Sequence, residues 1–236
     1  MKTLFAGSIF GLALLVGGGA QAADLAVKAV APAPLIDWSG FYVGGHGGLA
    51  GSQVALTFAD DQGNSEDLRF SSDSYFAGGQ AGAQWQFDQW VLGVEGTWSG
   101  THLTQTIAST VTPGESHSLT INQVATATVR FGAAWERALF YAKAGYAGVH
   151  TAIHSADTAN GITADDAKWR HGWTAAAGVD YMLVDRLVLG AEFDYYNFNF
   201  DNINGVYNDG VSTFSVGSTN GNIYAGVVRA SYLFGR

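Results

Sequence analysis

Residues 75–87 read YFAGGQAGAQWQF, and apolar and polar residues alternate along this stretch. The odd positions carry Tyr, Ala, Gly, Ala, Ala, Trp and Phe, whereas the even positions from 80 onward carry Gln, Gly, Gln and Gln. Successive side chains of a β-strand point to opposite faces, so the alternation predicts a strand with one apolar and one polar face. In a soluble sandwich the apolar face would meet a second sheet, and in a membrane barrel it would meet lipid.

The same pattern recurs about eight times between Phe41 and Phe234. It predicts strands over residues 38–53, 74–87, 89–102, 119–135, 138–151, 169–182, 187–199 and 221–234. Three connections are tight, and four are long and polar, over residues 54–73, 103–118, 152–168 and 200–220. Alternating short turns and long loops are typical of outer-membrane barrels. We therefore expect an all-β fold, an eight-stranded antiparallel up-and-down transmembrane β-barrel with short periplasmic turns and four long extracellular loops.

The N-terminal residues predict export across the inner membrane. Lys2 gives a positive end, residues 4–16 form an apolar run, and residues 20–22 form an A-x-A cleavage site, so residues 1–22 are interpreted as a signal peptide. Neither this run nor any later segment has the roughly 20 apolar residues that a spanning helix needs. A mature chain in the membrane must therefore be a closed barrel. We predict a flexible periplasmic lead over residues 23–37 and the barrel over residues 38–236.

The composition supports a surface that faces lipid. Apolar residues make up 47% of the chain and charged residues only 13%, compared with about 25% charged residues in soluble domains. The formal net charge of −9 argues against a nucleic-acid partner, because nucleic acids attract basic proteins. The chain has no cysteine and therefore no disulfide.

Aromatic residues gather near the two ends of the predicted strands. Amphipathic rings favour the two membrane–water interfaces, so we interpret these residues as two girdles. The girdle set is Trp85, Trp90, Trp98, Trp135, Trp169, Trp173, Tyr181, Tyr232 and Phe234.

Several strand sequences resemble a known family. Residues 38–45 (WSGFYVGG), 90–96 (WVLGVEG), 128–132 (TVRFG), 172–181 (GWTAAAGVDY) and 191–196 (AEFDYY) are similar to segments of the Omp25/Omp31/RopB group of small outer-membrane proteins of alphaproteobacteria. The resemblance covers nearly the whole mature chain and keeps the order of the strands. It implies an eight-stranded outer-membrane barrel. The loops match nothing that we can name.

Several strands carry charged residues at the alternate positions that point into the barrel, which we call inward parity, and these residues lie at similar heights. An eight-stranded barrel encloses little more space than its own side chains fill, and buried charges need partners. We therefore predict a band of paired charges in the lumen, formed by Glu95, Arg130, Lys143, Asp180, Glu192 and Arg229. Parity and height suggest that Glu95 pairs with Arg130 and that Glu192 pairs with Arg229. Strand tilt can shift the register by several residues, so diagonal partners such as Lys143 or Asp180 stay open as alternatives. The band could be a structural plug, or it could be a polar gate for small solutes.

The histidines give a weaker signal. His46 has lumen parity, and the other five lie in or beside the long loops, where we expect ordinary surface residues. Some members of the family that the chain resembles bind haem, but a haem or metal site would need several histidines to converge. No nucleophile or acid–base arrangement stands out, so we expect no catalytic residues, no cofactor and no metal site.

These observations predict a non-enzymatic outer-membrane protein that stabilises the envelope and presents four surface loops. A narrow porin for small solutes, or a protein that binds haem or a host surface through its loops, is the alternative. The expected partners are outer-membrane lipid, lipopolysaccharide and the barrel-assembly machinery.

Overall fold

The computed structural model describes residues 36–60, 65–109, 114–158, 161–200, 203–206, 213–216 and 219–235. The predicted signal peptide, residues 1–22, and the predicted lead as far as residue 35 lie outside the described residues. In the described ranges, no helix has the length and apolar composition that a membrane crossing requires.

The described residues form ten β-strands, of which eight are long. Their bounds are β1 Gly40–Asp60, β2 Ser65–Phe87, β3 Trp90–Ala108, β4 Glu115–Trp135, β5 Ala138–Asp157, β6 Ile162–Val184, β7 Leu187–Phe200, β8 Ile203–Val206, β9 Thr213–Val216 and β10 Thr219–Phe234. Strands β1 to β6 each pair antiparallel with the strand that follows, and β10 pairs with both β7 and β1. The ring is therefore closed, and the predicted eight-stranded antiparallel barrel is confirmed.

The strands are strongly tilted. Following the paired residues once round the ring from Tyr42 on β1 returns to β1 at Ser52, ten residues further along the strand. A stagger of this kind goes with a tilt of about 35–45° to the barrel axis. Residues that are paired across strands therefore lie at steadily changing heights around the barrel.

Three tight turns join the strands at the end of the barrel that we predict to be periplasmic. They contain Asp88, Glu136 and Arg186, whose φ angles of 53°, 52° and 73° lie in the left-handed region. A tight connection between antiparallel strands commonly requires one residue there, although glycine adopts this conformation more readily. These turns fall where the sequence predicts them.

At the opposite end the strands are longer than predicted. Most of residues 54–73, 103–118 and 152–168, expected to be loops, continue the strands as hairpins. The predicted loop 200–220 includes the short strands β8 and β9, and β9 pairs with β1 at Phe58–Asp60.

The alternation continues into these extensions, but its apolar residues point inward instead of outward. For this reason the sequence pattern predicts loops here. Val54, Leu56 and Phe58 point inward on β1 and are buried, as are Leu68 and Phe70 on β2. These side chains form a packed interior, while the outer surface of the extensions is mostly polar. Outside the lipid the outer face meets water, so the apolar side chains belong inside.

The lower part of the barrel has the opposite arrangement. Its outer face exposes large apolar side chains such as Val94, Val129 and Leu189 in the middle of their strands. The structure also places all nine residues of the predicted girdles at exposed positions. Trp90, Trp135 and Tyr232 lie near the short turns, whereas Trp98 and Trp173 lie toward the other end.

Candidate functional site: the charge band inside the barrel

Six strands bring the charged side chains of the predicted band together inside the barrel. Glu95 on β3, Arg130 on β4 and Lys143 on β5 are buried, as are Asp180 on β6, Glu192 on β7 and Arg229 on β10. Each has inward parity because the strand alternation points its neighbours on either side at lipid. The structure places all six predicted residues in one connected network of ion pairs.

Glu95 and Glu192 form the centre of this network. One carboxylate oxygen of Glu95 lies 2.6 Å from the ammonium of Lys143, and the other accepts a hydrogen bond from Arg229. Glu192 lies 2.7 Å from the same Lys143 ammonium and 2.5 Å from Nη1 of Arg229. Two cations thus bridge two carboxylates, and the predicted pair between Glu192 and Arg229 is present.

Two tyrosines complete the centre. The Tyr42 hydroxyl donates to Glu95 at 2.8 Å, and the Tyr141 hydroxyl donates to Glu192 at 2.7 Å. Hydrogen bonds to a charged acceptor are stronger than neutral ones, and buried charges require such compensation. The Tyr141 hydroxyl also accepts a hydrogen bond from Arg229 at 3.1 Å.

The predicted pair between Glu95 and Arg130 is wrong. Glu95 is opposite Thr128, whereas Arg130 is opposite Gly93 and lies closer to the short turns. From there the guanidinium of Arg130 reaches two strands away and pairs with Asp180. It also lies 3.6 Å from the ring centroid of Tyr141, which is cation–π geometry.

The predicted charge band left out one buried acid. Asp194 is buried, and its carboxylate lies 4.0 Å from the Lys143 ammonium. Its position two residues after Glu192 gives it the same parity, and this signal could have identified it.

His46 was assigned lumen parity, and its two ring nitrogens lie 2.7 Å from Gln80 Oε1 and 2.8 Å from Ser99 Oγ.

With Asp194 included, the charge band contains four carboxyl groups and three cationic side chains. A cavity of about 10 Å³ lies among these groups and is lined by His46, Gln80, Glu95, Lys143 and Glu192 together with neighbouring residues. This volume corresponds to about one water molecule. The side chains of the band therefore nearly fill the lumen at this height.

Apolar side chains pack on both sides of the charge band. Toward the short turns, a lower apolar layer consists of Trp38, Tyr42, Val91, Ala134, Leu139, Tyr141, Met182, Val188 and Leu233, with Ile36 packed against it. Toward the other end, an upper apolar layer consists of Ala50, Phe76, Leu103, Ile121, Val124, Ala147, Val149, Tyr196, Phe198, Ile223, Ala225 and Val227. The outer ends of the strands enclose a third cluster, which contains Phe58.

Trp38 contributes to the lower layer from outside the strands. It was expected to start the first strand, but β1 begins at Gly40. The Trp38 side chain is fully buried, and its backbone N–H donates to Gln86 Oε1 at 2.8 Å. Its carbonyl oxygen accepts from Gln84 Nε2 at 2.6 Å. The Trp38 side chain therefore fills part of the lumen at the level of the short turns, just before the chain enters β1.

The loop histidines do not all lie on the surface. His117 is buried inside the outer extension, where its ring stacks on Phe58 at 4.1 Å and its Nδ1 is 2.9 Å from Ser155 Oγ. The expectation of a surface residue is wrong at this position because the extension has its own packed interior. Across the described part of the chain, no group of three or more histidine, aspartate or glutamate side chains is arranged to hold a metal ion.

A closed barrel with an apolar outer face, aromatic residues near both edges of that face and a charged interior defines the class of outer-membrane β-barrel proteins. The family model described as "Outer membrane protein beta-barrel domain" matches residues 10–219, and the chain belongs to this family. The protein is therefore located in the bacterial outer membrane.

The 31 kDa outer-membrane immunogenic protein of Brucella melitensis is 29% identical over 86% of this chain and 90% of its own length. The protein of the same description from Brucella suis gives the same values. These similarities confirm the resemblance to the Omp25-type proteins. Among solved structures, the outer-membrane protease OmpT of Escherichia coli has a TM-score of 0.52 and 11% identity, covering 85% of this chain and 99% of that chain. At that identity the likeness concerns the fold alone.

Proposed function

We propose that the protein is a non-enzymatic outer-membrane barrel whose lumen is plugged and whose role is to stabilise the envelope and present its outer end at the cell surface. The observation that carries this proposal is the charge band between two apolar layers. An ion that crossed the lumen would have to displace buried ion pairs and also enter two layers of packed apolar side chains. Both steps are costly because neither layer offers a substitute for water.

The surface role is supported by the outer extensions and by the relatives. The strands extend beyond the apolar band, and their outer surface there is mostly polar. The Brucella relatives are named as outer-membrane immunogenic proteins. We propose that the hairpin ends of this chain are accessible to antibodies at the cell surface. Outer-membrane lipid and lipopolysaccharide are its proposed surroundings, and the barrel-assembly machinery is its proposed folding partner.

Planar-bilayer recording tests the plug. The refolded protein is inserted beside a characterised porin as positive control, and a heat-modifiability gel verifies that the barrel is folded. On the proposal the protein gives no steady conductance while the porin conducts in the same membrane. Stable single-channel steps from the protein would instead establish the narrow porin.

The envelope role has a separate test. A strain that lacks the protein should become more sensitive to detergent, and the wild-type chain should restore resistance. A variant with the outer hairpins shortened should restore it as well, because the proposed role depends on the membrane-embedded barrel. Unchanged detergent sensitivity in the deletion strain would overturn the envelope role and leave the plug unaffected.

A further inference from the structure

The outer face of the barrel carries an asymmetric patch of rings near the end opposite the short turns. We call the side chains of Trp98, Tyr146, His150, Trp169 and His171 the aromatic–imidazole patch. The rings of Trp98 and Trp169 lie 5.6 Å apart in an edge-on arrangement, and Trp169 has the same distance and arrangement to His150. The rings of Tyr146 and His171 lie 5.8 Å apart, and the Tyr146 hydroxyl is hydrogen-bonded to Nδ1 of His171.

Small residues between these rings make the patch continuous. The pairing registers place Trp98 opposite Ala125, Ala125 opposite Gly148, and Gly148 opposite His171. A Cβ atom on Gly148 would lie 3.4 Å from the Trp169 indole. The Trp169 indole therefore lies over Gly148, and the rings form one continuous patch that spans four strands.

The height of the patch puts it at the head groups of the outer leaflet. Tyr146 is paired with Trp173, which contacts Tyr195, and both Trp98 and Trp173 belong to the girdle at the end opposite the short turns. His150 and Trp169 are paired two residues further out along their strands than Gly148 and His171. The patch thus begins where the apolar band ends and continues into the zone of polar head groups.

The polar groups of the patch are imidazoles and a phenol. His150 Nδ1 lies 2.9 Å from Asn122 Oδ1, and because an amide oxygen only accepts, Nδ1 is the donor in that bond and Nε2 is left as an acceptor. In the outer half of the described barrel, Arg69 points outward on β2, away from the patch. The exposed side chain of Lys168, the residue before Trp169, is paired with Asp166 at 2.7 Å. The patch therefore offers no cluster of fixed positive charges that could clamp a phosphate.

Aromatic rings flanked by imidazole and phenol groups that can form hydrogen bonds suit a sugar. The apolar C–H face of a pyranose can lie on an indole, while its hydroxyls bond to imidazole and phenol groups. We propose that the aromatic–imidazole patch binds the saccharide head group of the lipopolysaccharide that surrounds the barrel. This inference rests on the proposed glycolipid partner and is independent of whether the lumen conducts.

Binding to purified protein in detergent tests the proposal, with native mass spectrometry as the readout. The probes are lipopolysaccharide, its deacylated saccharide and phosphatidylglycerol, an anionic lipid without sugar. We expect lipopolysaccharide to bind more tightly than phosphatidylglycerol, and we expect the free saccharide to compete for the site. Displacement by phosphatidylglycerol as effective as displacement by the saccharide would show that head-group charge alone is recognised, and would overturn the proposal.

A matched pair of variants locates the site. The double variant Trp98→Leu/Trp169→Leu removes the stacking surface and should weaken lipopolysaccharide binding about tenfold or more, since one aromatic contact is worth close to a factor of ten. The control Trp90→Leu/Trp135→Leu removes two exposed indoles of the lower girdle, one of which also stacks on an aromatic ring, and should change binding less than about twofold. Equal losses of lipopolysaccharide affinity in the two variants would show that the patch only anchors the barrel in the membrane, and would refute the proposal.

Folding is checked for each variant by the heat-modifiability gel. If the patch double variant does not fold, Trp169→Leu alone makes the same comparison against Trp135→Leu. Unchanged lipopolysaccharide affinity in the folded Trp169→Leu variant would equally contradict the proposal.

Discussion

The ion pair between Arg130 and Asp180 gives the sharpest test of the charge band. Both side chains are buried, and removal of one partner leaves the other charge without its main compensation. Such a loss typically costs about 3–5 kcal/mol. Arg130→Met should be the more costly change, because it also removes the cation–π contact with Tyr141, whereas Asp180→Asn leaves that contact and an amide oxygen in place.

The double variant should cost much less than the two single variants together. Methionine and asparagine leave no unpaired charge from this pair, so we expect a coupling energy of at least about 2 kcal/mol. The assay is urea unfolding in lipid vesicles, followed by tryptophan fluorescence, with an unfolding free energy for each of the four proteins. Strictly additive losses for Arg130 and Asp180 would refute the ion pairing described here.

A second cycle serves as the control for the first. Glu95→Gln combined with Arg130→Met tests the pair that parity and height alone suggested. Since Glu95 bonds to Lys143 and Arg229 instead, its coupling to Arg130 should be clearly smaller than that of Asp180. A larger coupling to Glu95 would reinstate the sequence-based pairing.

Three further predictions concern the lipid face, the charge balance and the surface. Val129→Arg, in the middle of the outer face, should lower the unfolding free energy by about 2–4 kcal/mol in vesicles, whereas Trp135→Arg near the interface should cost about 0–1 kcal/mol; equal costs would show that Val129 does not face the membrane core. Asp194→Asn should be the least destabilising neutralisation among the four buried acids, because it removes the carboxyl group in excess over the three cations; a urea-unfolding loss as large as that of Glu192→Gln would contradict this balance. An epitope inserted beside Gly63, between β1 and β2, should be labelled on intact cells; labelling that appears only after permeabilisation would invert the topology.

The sequence alone determined the architecture of the barrel and the set of charges inside it. Strand parity is a local property, and lipid requires a continuous apolar face, so Val94, Val129 and Leu189 could be placed on the outside without a structure. Counting from the short turns also gave the height of Glu95, Arg130 and the other members of the predicted charge band. The aromatic residues near the strand ends gave the positions of the girdles by the same count.

Only the tertiary structure decided which charges pair. Parity and height specify where a side chain starts, but the tilt of the strands and the length of arginine and lysine side chains determine where the charged group ends. Arg130 therefore reaches Asp180 two strands away, and Lys143 bridges Glu95 and Glu192 across the lumen. The contacts of Trp38 likewise depend on a segment before β1 that was expected to begin the first strand but forms none.

The outer extensions show the same limit for the fold. Their alternation was present in the sequence, as in Val54, Leu56 and Phe58, but its polarity is the reverse of that in the membrane. A period of two indicates a strand, yet only the surrounding medium decides which face is apolar. The closed barrel fixes where the edge of the lipid lies along each strand. That edge separates the membrane part of the barrel wall from the outer extensions.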